Sequence, residues 1–299
     1  MRLLKKIRRG FTLIELLVVI AIIALLLAII MPALQTAKEL ATGAICLHNQ
    51  QQLCVAWTAY ANENDGYLVG GSNYYAGSRS TPYRWVEFPL YNDYDNPETT
   101  PVAGLPDYSE KTRKNGIRAG KLFPYTGDED LYHCPGDRTN VKNEEPFAVF
   151  RSYSITGLMN GEHFEKRQSG LYSPIVYREV QVSPGGQPKK LKVAIKATDI
   201  RSPGSKLVFV EEDVVNKDNP QNKPMGGFVL FEDNLYGWWD APAYFHNDSG
   251  TVGFADGHAE RHKWQDPDTL ALIKEQKDDP RPDQNEDLRW MVQGYIPMP

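Results

Sequence analysis

Cysteine is scarce in this sequence, with three residues in 299. That number excludes a disulfide-rich scaffold, and an odd count leaves at least one thiol unpaired within a monomer. Basic charge is also scarce beyond the N-terminus: five of the 33 lysines and arginines lie within the first ten positions, and the whole chain carries 38 acidic residues. Binding to nucleic acid depends mainly on basic side chains that neutralise phosphates, and the chain beyond residue 10 is acidic. We therefore predict no nucleic-acid partner.

One long apolar run dominates the N-terminal region. Residues 16–31 are uninterrupted apolar, and with the nearby Phe11, Leu13, Ile14 and Leu34 the segment reaches the roughly 20 residues that span a bilayer core. The basic flank consists of Arg2, Lys5, Lys6, Arg8 and Arg9. These features predict one membrane-spanning helix with a cytoplasmic N-terminus, and everything after residue 35 outside the cytoplasm.

Glu15 is the unusual residue of this run, because an ionisable group at membrane depth is costly unless it is paired. A cleaved secretory signal would have a shorter apolar core followed by a small-residue cleavage site, and none is convincing here. Arg8 and Arg9 are only a weak indication of a twin-arginine signal, because paired arginines beside a membrane helix are common, and a plain anchor gives Glu15 no role. Cleavage between Gly10 and Phe11 would instead create an amine at Phe11, which Glu15 of a neighbouring subunit could pair with.

The stretch RRGFTLIELLVVIAIIALL resembles the N-terminal signal of type IV pilins and type II secretion pseudopilins. The resemblance implies that a prepilin peptidase cuts after Gly10 and N-methylates Phe11. It also implies assembly with other pilin-like subunits from a pool held in inner-membrane lipid, with Glu15 setting the register. Pro32 matches the helix-kinking proline of these families, since proline removes one backbone hydrogen bond.

The residue pattern of the remaining chain predicts that a long helix carries a globular head. The spacing of the apolar residues predicts that the helix continues to about residue 65, where ENDGY supplies turn residues. Strands are expected at 148–156, 189–200 and 205–213, then in GGFVLFE and GTVGFADGHAERHKW, and a short helix at 269–276. Residues 67–130 are expected to form loops and short strands.

We therefore expect an α+β, pilin-like fold in which a long N-terminal helix, membrane-spanning in its first half, packs on an antiparallel sheet with large loop insertions. The predicted segments are a cytoplasmic leader (1–10), a transmembrane or filament-core helix (11–34), its amphipathic continuation (35–65) and an extracytoplasmic head (66–299). The series ICLHNQQQLCVAWTAYANENDGY, LYHCPGD, RSYSITG, VFVEE and HNDSGTVGFADGHAERHKW further resembles bacterial prepilin-like proteins with a C-terminal H-x9-DG motif, here His246 to Asp256-Gly257.

The cysteines allow one candidate disulfide. Cys46 and Cys54 are eight residues apart on one predicted helix, about 12 Å, which is too far for a disulfide. Cys134, in the loop-like HCPGD, could reach either of them in an oxidising compartment, and Cys46 is the favoured partner. Buried free thiols are the alternative interpretation.

The C-terminal histidines and carboxylates offer only weak metal candidates: His246, Asp248 and Asp256. Their spacing matches no known ligand pattern such as H-E-x-x-H, and Asp256-Gly257 is better explained as a type I′ hairpin turn. Some similar pseudopilins bind calcium in a C-terminal loop, and oxygens of Asp240 or Asn247 could contribute to such a site. We expect no cofactor, with calcium as the alternative.

No motif predicts catalysis: a G-x-S-x-G sequence and a phosphate-binding loop are both missing. Glu211, Glu212 and Asp213 follow an apolar stretch and are expected to form a solvated strand edge. Five aromatic residues lie close together in the sequence, and we predict that they pack in the core; a binding surface is the alternative. They are Tyr236, Trp238, Trp239, Tyr244 and Phe245.

We expect a structural subunit of a type IV pilus or type II secretion pseudopilus and not an enzyme. The alternative is a membrane-anchored binding or hydrolytic protein that uses the signal only for export.

Overall fold

A computed structural model gives the fold, with side chains. It describes residues 12–71, 84–87, 110–137, 150–161, 164–166, 172–174, 177–180, 187–213, 227–228, 230, 237–238, 240–275 and 284–297. The cleavage and methylation positions Gly10 and Phe11 lie outside these ranges, as do Tyr236 and Trp239 of the aromatic group. The chain divides into two compact units, Met1–Ala41 and Thr42–Pro299, which are described separately.

Helix α1 runs over Leu13–Glu63 and contributes to both units. It continues through Pro32, beyond which the Thr36 hydroxyl donates to the carbonyl of Pro32 at 3.2 Å. Just beyond its C-terminal end, Asp65 and Gly66 adopt positive φ angles of 53° and 80°, which suits a residue that leaves a helix. The predicted end of the helix near residues 62–66 is thus confirmed.

The second unit is built around a mixed sheet. Its ten described strands are β1 (Tyr153–Thr156), β2 (Phe164–Lys166), β3 (Tyr172–Pro174), β4 (Tyr177–Val180), β5 (Lys189–Lys192), β6 (Leu207–Asp213), β7 (Gly227–Phe228), β8 (Ala241–Pro242), β9 (Ser249–Phe254) and β10 (Ala259–Lys263). The main sheet has the order β10-β9-β6-β1-β7, with β8 added to β6, while β2-β3 and β4-β5 form separate pairs. All its pairings are antiparallel except that of β1 with β7, which is parallel.

The second half of α1 packs directly on this sheet. Gln50 donates its side-chain amide to the carbonyl of Thr251 at 2.8 Å, and Leu53, Cys54 and Trp57 are buried. Gly253 in β9 permits a close approach, because a Cβ there would lie 2.4 Å from the Cys54 sulfur. The α+β class with a long N-terminal helix is confirmed, as is helix packing on the sheet.

Four shorter helices complete the described part of the head: α2 (Glu110–Arg118), α3 (Phe123–Thr126), α4 (Pro267–Glu275) and α5 (Glu286–Tyr295). Helix α4 agrees with the helix predicted at 269–276. Helices α2, α3 and α5 were not predicted, and the strand expected at 189–200 stops at Lys192. Beyond it, Asp199 accepts hydrogen bonds from the backbone of Ile195 and Lys196, which favours a short 3₁₀ turn at Ala197–Asp199.

The H-x9-DG segment folds as the expected hairpin of β9 and β10, but its turn differs from the predicted type I′. A type I′ turn needs positive φ at both central residues, whereas Gly257 has φ 97° and Asp256 is not among the residues with positive φ. The amide of Gly257 donates to the carbonyl of Phe254 at 3.0 Å, and the amide of Phe254 donates to the carbonyl of His258 at 2.9 Å. The pattern is a longer loop with glycine in the left-handed position.

The expectation of a solvated edge at Glu211–Asp213 is wrong. Strand β6 lies inside the sheet between β9 and β1, and the three carboxylates are 0%, 3% and 4% exposed. Charge alone suggested an edge, but strand order is set by long-range pairing. The correction matters because Glu211 reaches the candidate site described below.

Asp287 at the start of α5 connects the hairpin to the C-terminal helices. Its carboxylate accepts from the amides of Gln265 and Asp266 at 2.9 Å each and lies 3.5 Å from Nε2 of His262. Burial acts to raise the pKa of Asp287, but the hydrogen bonds from His262 and the two amides outweigh it and lower the pKa. The ionised carboxylate is therefore favoured by folding.

We expect Asp287→Asn to lower the free energy of unfolding by about 1.5–3 kcal/mol at pH 7, because it removes hydrogen bonds to a charged group. A carboxyl whose pKa is depressed by folding contributes stability above its unfolded pKa of about 3.9 and loses it as pH falls through the folded pKa. The difference between wild type and variant should therefore shrink at acidic pH. Urea denaturation of both proteins in detergent between pH 7 and pH 3 measures this, with the exposed neighbour Glu286→Gln as control. A difference that stays constant with pH would contradict the account.

Candidate functional site

The first candidate region is the start of α1. The Thr12 hydroxyl accepts from the amide of Glu15 at 3.3 Å, and the Glu15 carboxylate accepts from the Thr12 amide and hydroxyl at 2.9 and 2.8 Å. This reciprocal arrangement is a capping box, which satisfies backbone amides that the first helical turn leaves without partners. Glu15 thus has a local role within one chain.

The apolar stretch of α1 exposes its large side chains. Leu13 is 85% exposed and Leu34 is 64% exposed, and the intervening isoleucines, leucines and valines are similarly open. The helix is long and apolar enough to cross a membrane. A helix that is apolar around its whole circumference is stable only in lipid or in a protein core. This segment is therefore compatible with anchoring in the inner membrane.

A second candidate region lies within the head, where four ligand-type side chains converge. They are Cys46 of α1, Cys134 of the HCPGD turn, Glu211 of β6 and His246, which follows β8. Their sulfur, nitrogen and oxygen ligand atoms all lie within 4.8 Å of one another, and each residue is 0% exposed. We call these four residues the buried cluster.

Short contacts connect the members of the buried cluster. The sulfurs of Cys46 and Cys134 lie 2.7 Å apart as free thiols. Nε2 of His246 lies 3.3 Å from the Cys134 sulfur and 3.3 Å from Oε1 of Glu211. The structure therefore brings together the two cysteines of the candidate disulfide, while their covalent pairing stays a prediction.

Neighbouring groups contact three of the four side chains of the cluster. Glu211 is held through its other oxygen, Oε2, which accepts from the amide and hydroxyl of Thr251 at 2.8 and 3.0 Å. Nδ1 of His246 lies 3.5 Å from the hydroxyl of Thr42. The amide of Gly136 donates to the Cys134 sulfur at 3.2 Å.

Local backbone chemistry explains how His246 reaches the interior. Asn247 and Asp248 both adopt left-handed conformations, with φ 56° and 58°, and these are the residue types that tolerate such angles. The His246 amide donates to the carbonyl of Ser249 at 3.2 Å, which closes the turn before β9. Gly136 leaves room for the ring, because a Cβ there would lie 3.1 Å from Cε1 of His246.

Burial and mutual contacts shift the pKa values of three members of the buried cluster. Burial acts to raise the pKa of Cys46, but hydrogen bonds with Cys134 and His246 outweigh it and lower the pKa. Burial, the bond to Cys46 and the charge of Glu211 all raise the pKa of Cys134. For His246, burial acts to lower the pKa, but contacts with Cys46 and Glu211 raise it to about 10.

The weak metal candidates are only partly brought together. Among the described residues, one group has the composition and spacing of a metal site; it includes His246 and lacks Asp248 and Asp256. Asp248 forms an ion pair with Lys274 at 2.7 Å, and Asp256 contacts Nδ1 of His258 at 2.5 Å. Glu211, Cys46 and Cys134 were not among the predicted metal ligands, and the two cysteines were considered only as a possible disulfide.

The aromatic group is packed in part. Trp238 is buried and meets Trp264 edge to face, with ring centroids 6.1 Å apart. Tyr244 and Phe245 are partly buried against the core. The prediction of core packing is confirmed for Trp238.

The arrangement of Cys134, His246 and Glu211 does not provide the geometry of a nucleophilic triad. In such a triad the two nitrogens of the histidine serve the nucleophile and the carboxylate separately. Here both groups contact Nε2, and all three side chains are completely buried. The site can hold an ion or a covalent link, but it presents no reacting atom to a substrate.

One comparison with known proteins is informative. Residues 5–31 match the family model described as the prokaryotic N-terminal methylation motif. No curated protein and no solved structure matches the chain significantly. The N-terminus therefore carries a prepilin-type signal followed by an apolar helix, while the H-x9-DG resemblance receives no support from these comparisons.

Proposed function

We propose that this protein is a structural subunit of a type IV pilus or type II secretion pseudopilus. A prepilin peptidase would remove residues 1–10 and methylate Phe11, and the processed chain would assemble through α1. The observation that carries the proposal is the combination of the methylation motif at residues 5–31 with a continuous helix that begins at Leu13 and exposes its apolar surface.

The physical reason for assembly lies in that exposed surface. In the membrane, lipid covers the apolar side chains of α1; in a filament, copies of the same helix would cover them. Cleavage before the apolar run leaves the helix on the mature chain, whereas cleavage after it would discard the assembly surface. Identical helices in a head-to-tail arrangement whose rotation does not close produce an open filament.

The capping box is compatible with this role. Within a single chain, Thr12 partners Glu15, which reduces the cost of carrying the carboxylate before assembly. On assembly, the same carboxylate would pair with the Phe11 ammonium of a neighbouring subunit and select one register. The pairing is favourable in an apolar surrounding only if both charges are satisfied.

The proposal is tested by expressing the full chain in bacterial cells that assemble pili or pseudopili, with and without their prepilin peptidase. With the peptidase we expect a shortened chain, part of which is released into the medium by shearing as polymer. Without it we expect only the full-length chain in the membrane fraction. If shearing releases no polymer despite complete processing, the protein is instead an anchored head that uses the signal for export.

A further inference from the structure

We propose that Cys46, Cys134, Glu211 and His246 form a structural zinc site that fixes the second half of α1 to the sheet. The donor set is the first argument. Two thiol sulfurs, one imidazole nitrogen and one carboxylate oxygen make four ligands, which is the number that Zn²⁺ takes in tetrahedral structural sites. Thiolates and imidazole suit zinc, whereas Ca²⁺ and Mg²⁺ require more ligands, all of them oxygen.

The spacing of the donors is the second argument. Zinc bonds of about 2.0–2.3 Å at tetrahedral angles put neighbouring donors about 3.3–3.8 Å apart. Nε2 of His246 lies 3.3 Å from both the Cys134 sulfur and Oε1 of Glu211. The sulfurs, at 2.7 Å, would have to separate by about 1 Å on binding.

The surrounding groups provide the third argument. Ligands in zinc sites are commonly oriented by outer hydrogen-bond partners. Thr251 holds Oε2 of Glu211 and leaves Oε1 directed at the site, Thr42 lies beside Nδ1 of His246, and the Gly136 amide donates to the Cys134 sulfur. A disulfide between the cysteines would need neither the carboxylate nor the imidazole, whereas a cation gives all four side chains one partner.

The position of the site indicates its role. The ligands come from four segments far apart in sequence: the helix, a loop, the central strand β6 and the turn before β9. Complete burial and four protein ligands leave no open coordination position, which is typical of structural zinc and not of catalytic zinc. The metal would thus link α1 to the sheet of the same head.

The test uses the purified full chain in detergent, reduced and stripped with a chelator. Zinc is then titrated in competition with a chromophoric chelator. We expect about one zinc per chain. Cys46→Ala, Cys134→Ala, Glu211→Gln and His246→Gln should each weaken binding at least tenfold, and Cys54→Ala should not, although Cys54 is equally buried on the same helix. Circular dichroism confirms that each variant is folded.

A second readout distinguishes the metal from a disulfide. The protein isolated from its own membrane is denatured in chelator and alkylated without reductant, and its mass is measured. The zinc site predicts three alkylated cysteines, whereas a disulfide predicts alkylation of Cys54 alone. The Glu211→Gln and His246→Gln variants keep every cysteine. Weaker zinc binding by these variants therefore cannot be attributed to the loss of a disulfide. Disulfide-linked native protein, or zinc binding unchanged in these two variants, would overturn the proposal.

Discussion

Replacing Glu15 with alanine is expected to leave peptidase processing intact and to reduce the shearable, filament-associated fraction at least tenfold. An unpaired ammonium within a bundle of apolar helices is costly, at about 2.5–3.5 kcal/mol for a charged residue near the centre of a membrane helix. A difference of about 1.4 kcal/mol already corresponds to a factor of ten in an equilibrium. The fraction is measured by immunoblotting sheared material and membranes from the same cells.

Matched variants separate the two roles of Glu15. Glutamine retains a capping-box acceptor but carries no charge. If pairing with the Phe11 ammonium of a neighbour drives assembly, Glu15→Gln should assemble as poorly as Glu15→Ala. Thr12→Ala removes the hydroxyl that donates to the Glu15 carboxylate and accepts from the Glu15 amide, and it keeps the Thr12 backbone amide and the carboxylate, so it should assemble well. If Glu15→Gln assembles normally and Thr12→Ala fails, the capping box is the important function and the register hypothesis is wrong.

A second large effect is expected from Arg151→Met, which should lower the free energy of unfolding by about 3–5 kcal/mol, the usual cost of removing one partner of a buried ionic network. Arg151 is 2% exposed and donates to the Ser154 hydroxyl at 3.1 Å, and that hydroxyl donates in turn to Glu212. Burial acts to lower the pKa of Arg151, to about 10, against the opposing charges of Glu212 and Asp240. Burial and the charge of Asp240 raise the pKa of Glu212 well above its ordinary value, against the lowering effects of Ser154 and Arg151, so loss of the guanidinium favours the protonated carboxyl still further.

The control is a double-mutant cycle with Glu212→Met. Apolar residues of similar volume at both positions remove the buried charges together, which is frequently neutral or stabilising. We therefore expect the double variant to be more stable than Arg151→Met alone, and the two single effects to be strongly non-additive. Chemical denaturation of the four proteins in detergent measures the cycle. Additive losses would show that the two side chains do not interact.

Several elements were predictable because their signals are local. The apolar run and the ENDGY turn gave α1 its span, and the β9-β10 hairpin followed from two strand-like segments around Asp-Gly. The length and apolar character of 205–213 predicted β6. Helix α5 escaped prediction, although Asn285 is its N-cap and accepts from the Leu288 amide, since the prolines on both sides suggested an irregular end.

The buried cluster could be predicted only in part. Helix spacing excluded a bridge between Cys46 and Cys54 and left either of them as a partner for Cys134, with Cys46 favoured. Glu211 was wrongly assigned to a solvated edge, because no local pattern shows that β6 lies between β9 and β1. His246 was considered a ligand with the nearby Asp248 and Asp256, whereas its observed partners are distant in sequence.

The most direct test of the assembly account is the intact mass and N-terminal sequence of the protein isolated from its native membrane. We predict a chain that begins at Phe11, carries one methyl group on its terminal nitrogen and retains the whole of α1. A chain that still begins at Met1, or one cut after residue 31, would contradict the account, because the first lacks the Phe11 amine and the second lacks the helix that assembles.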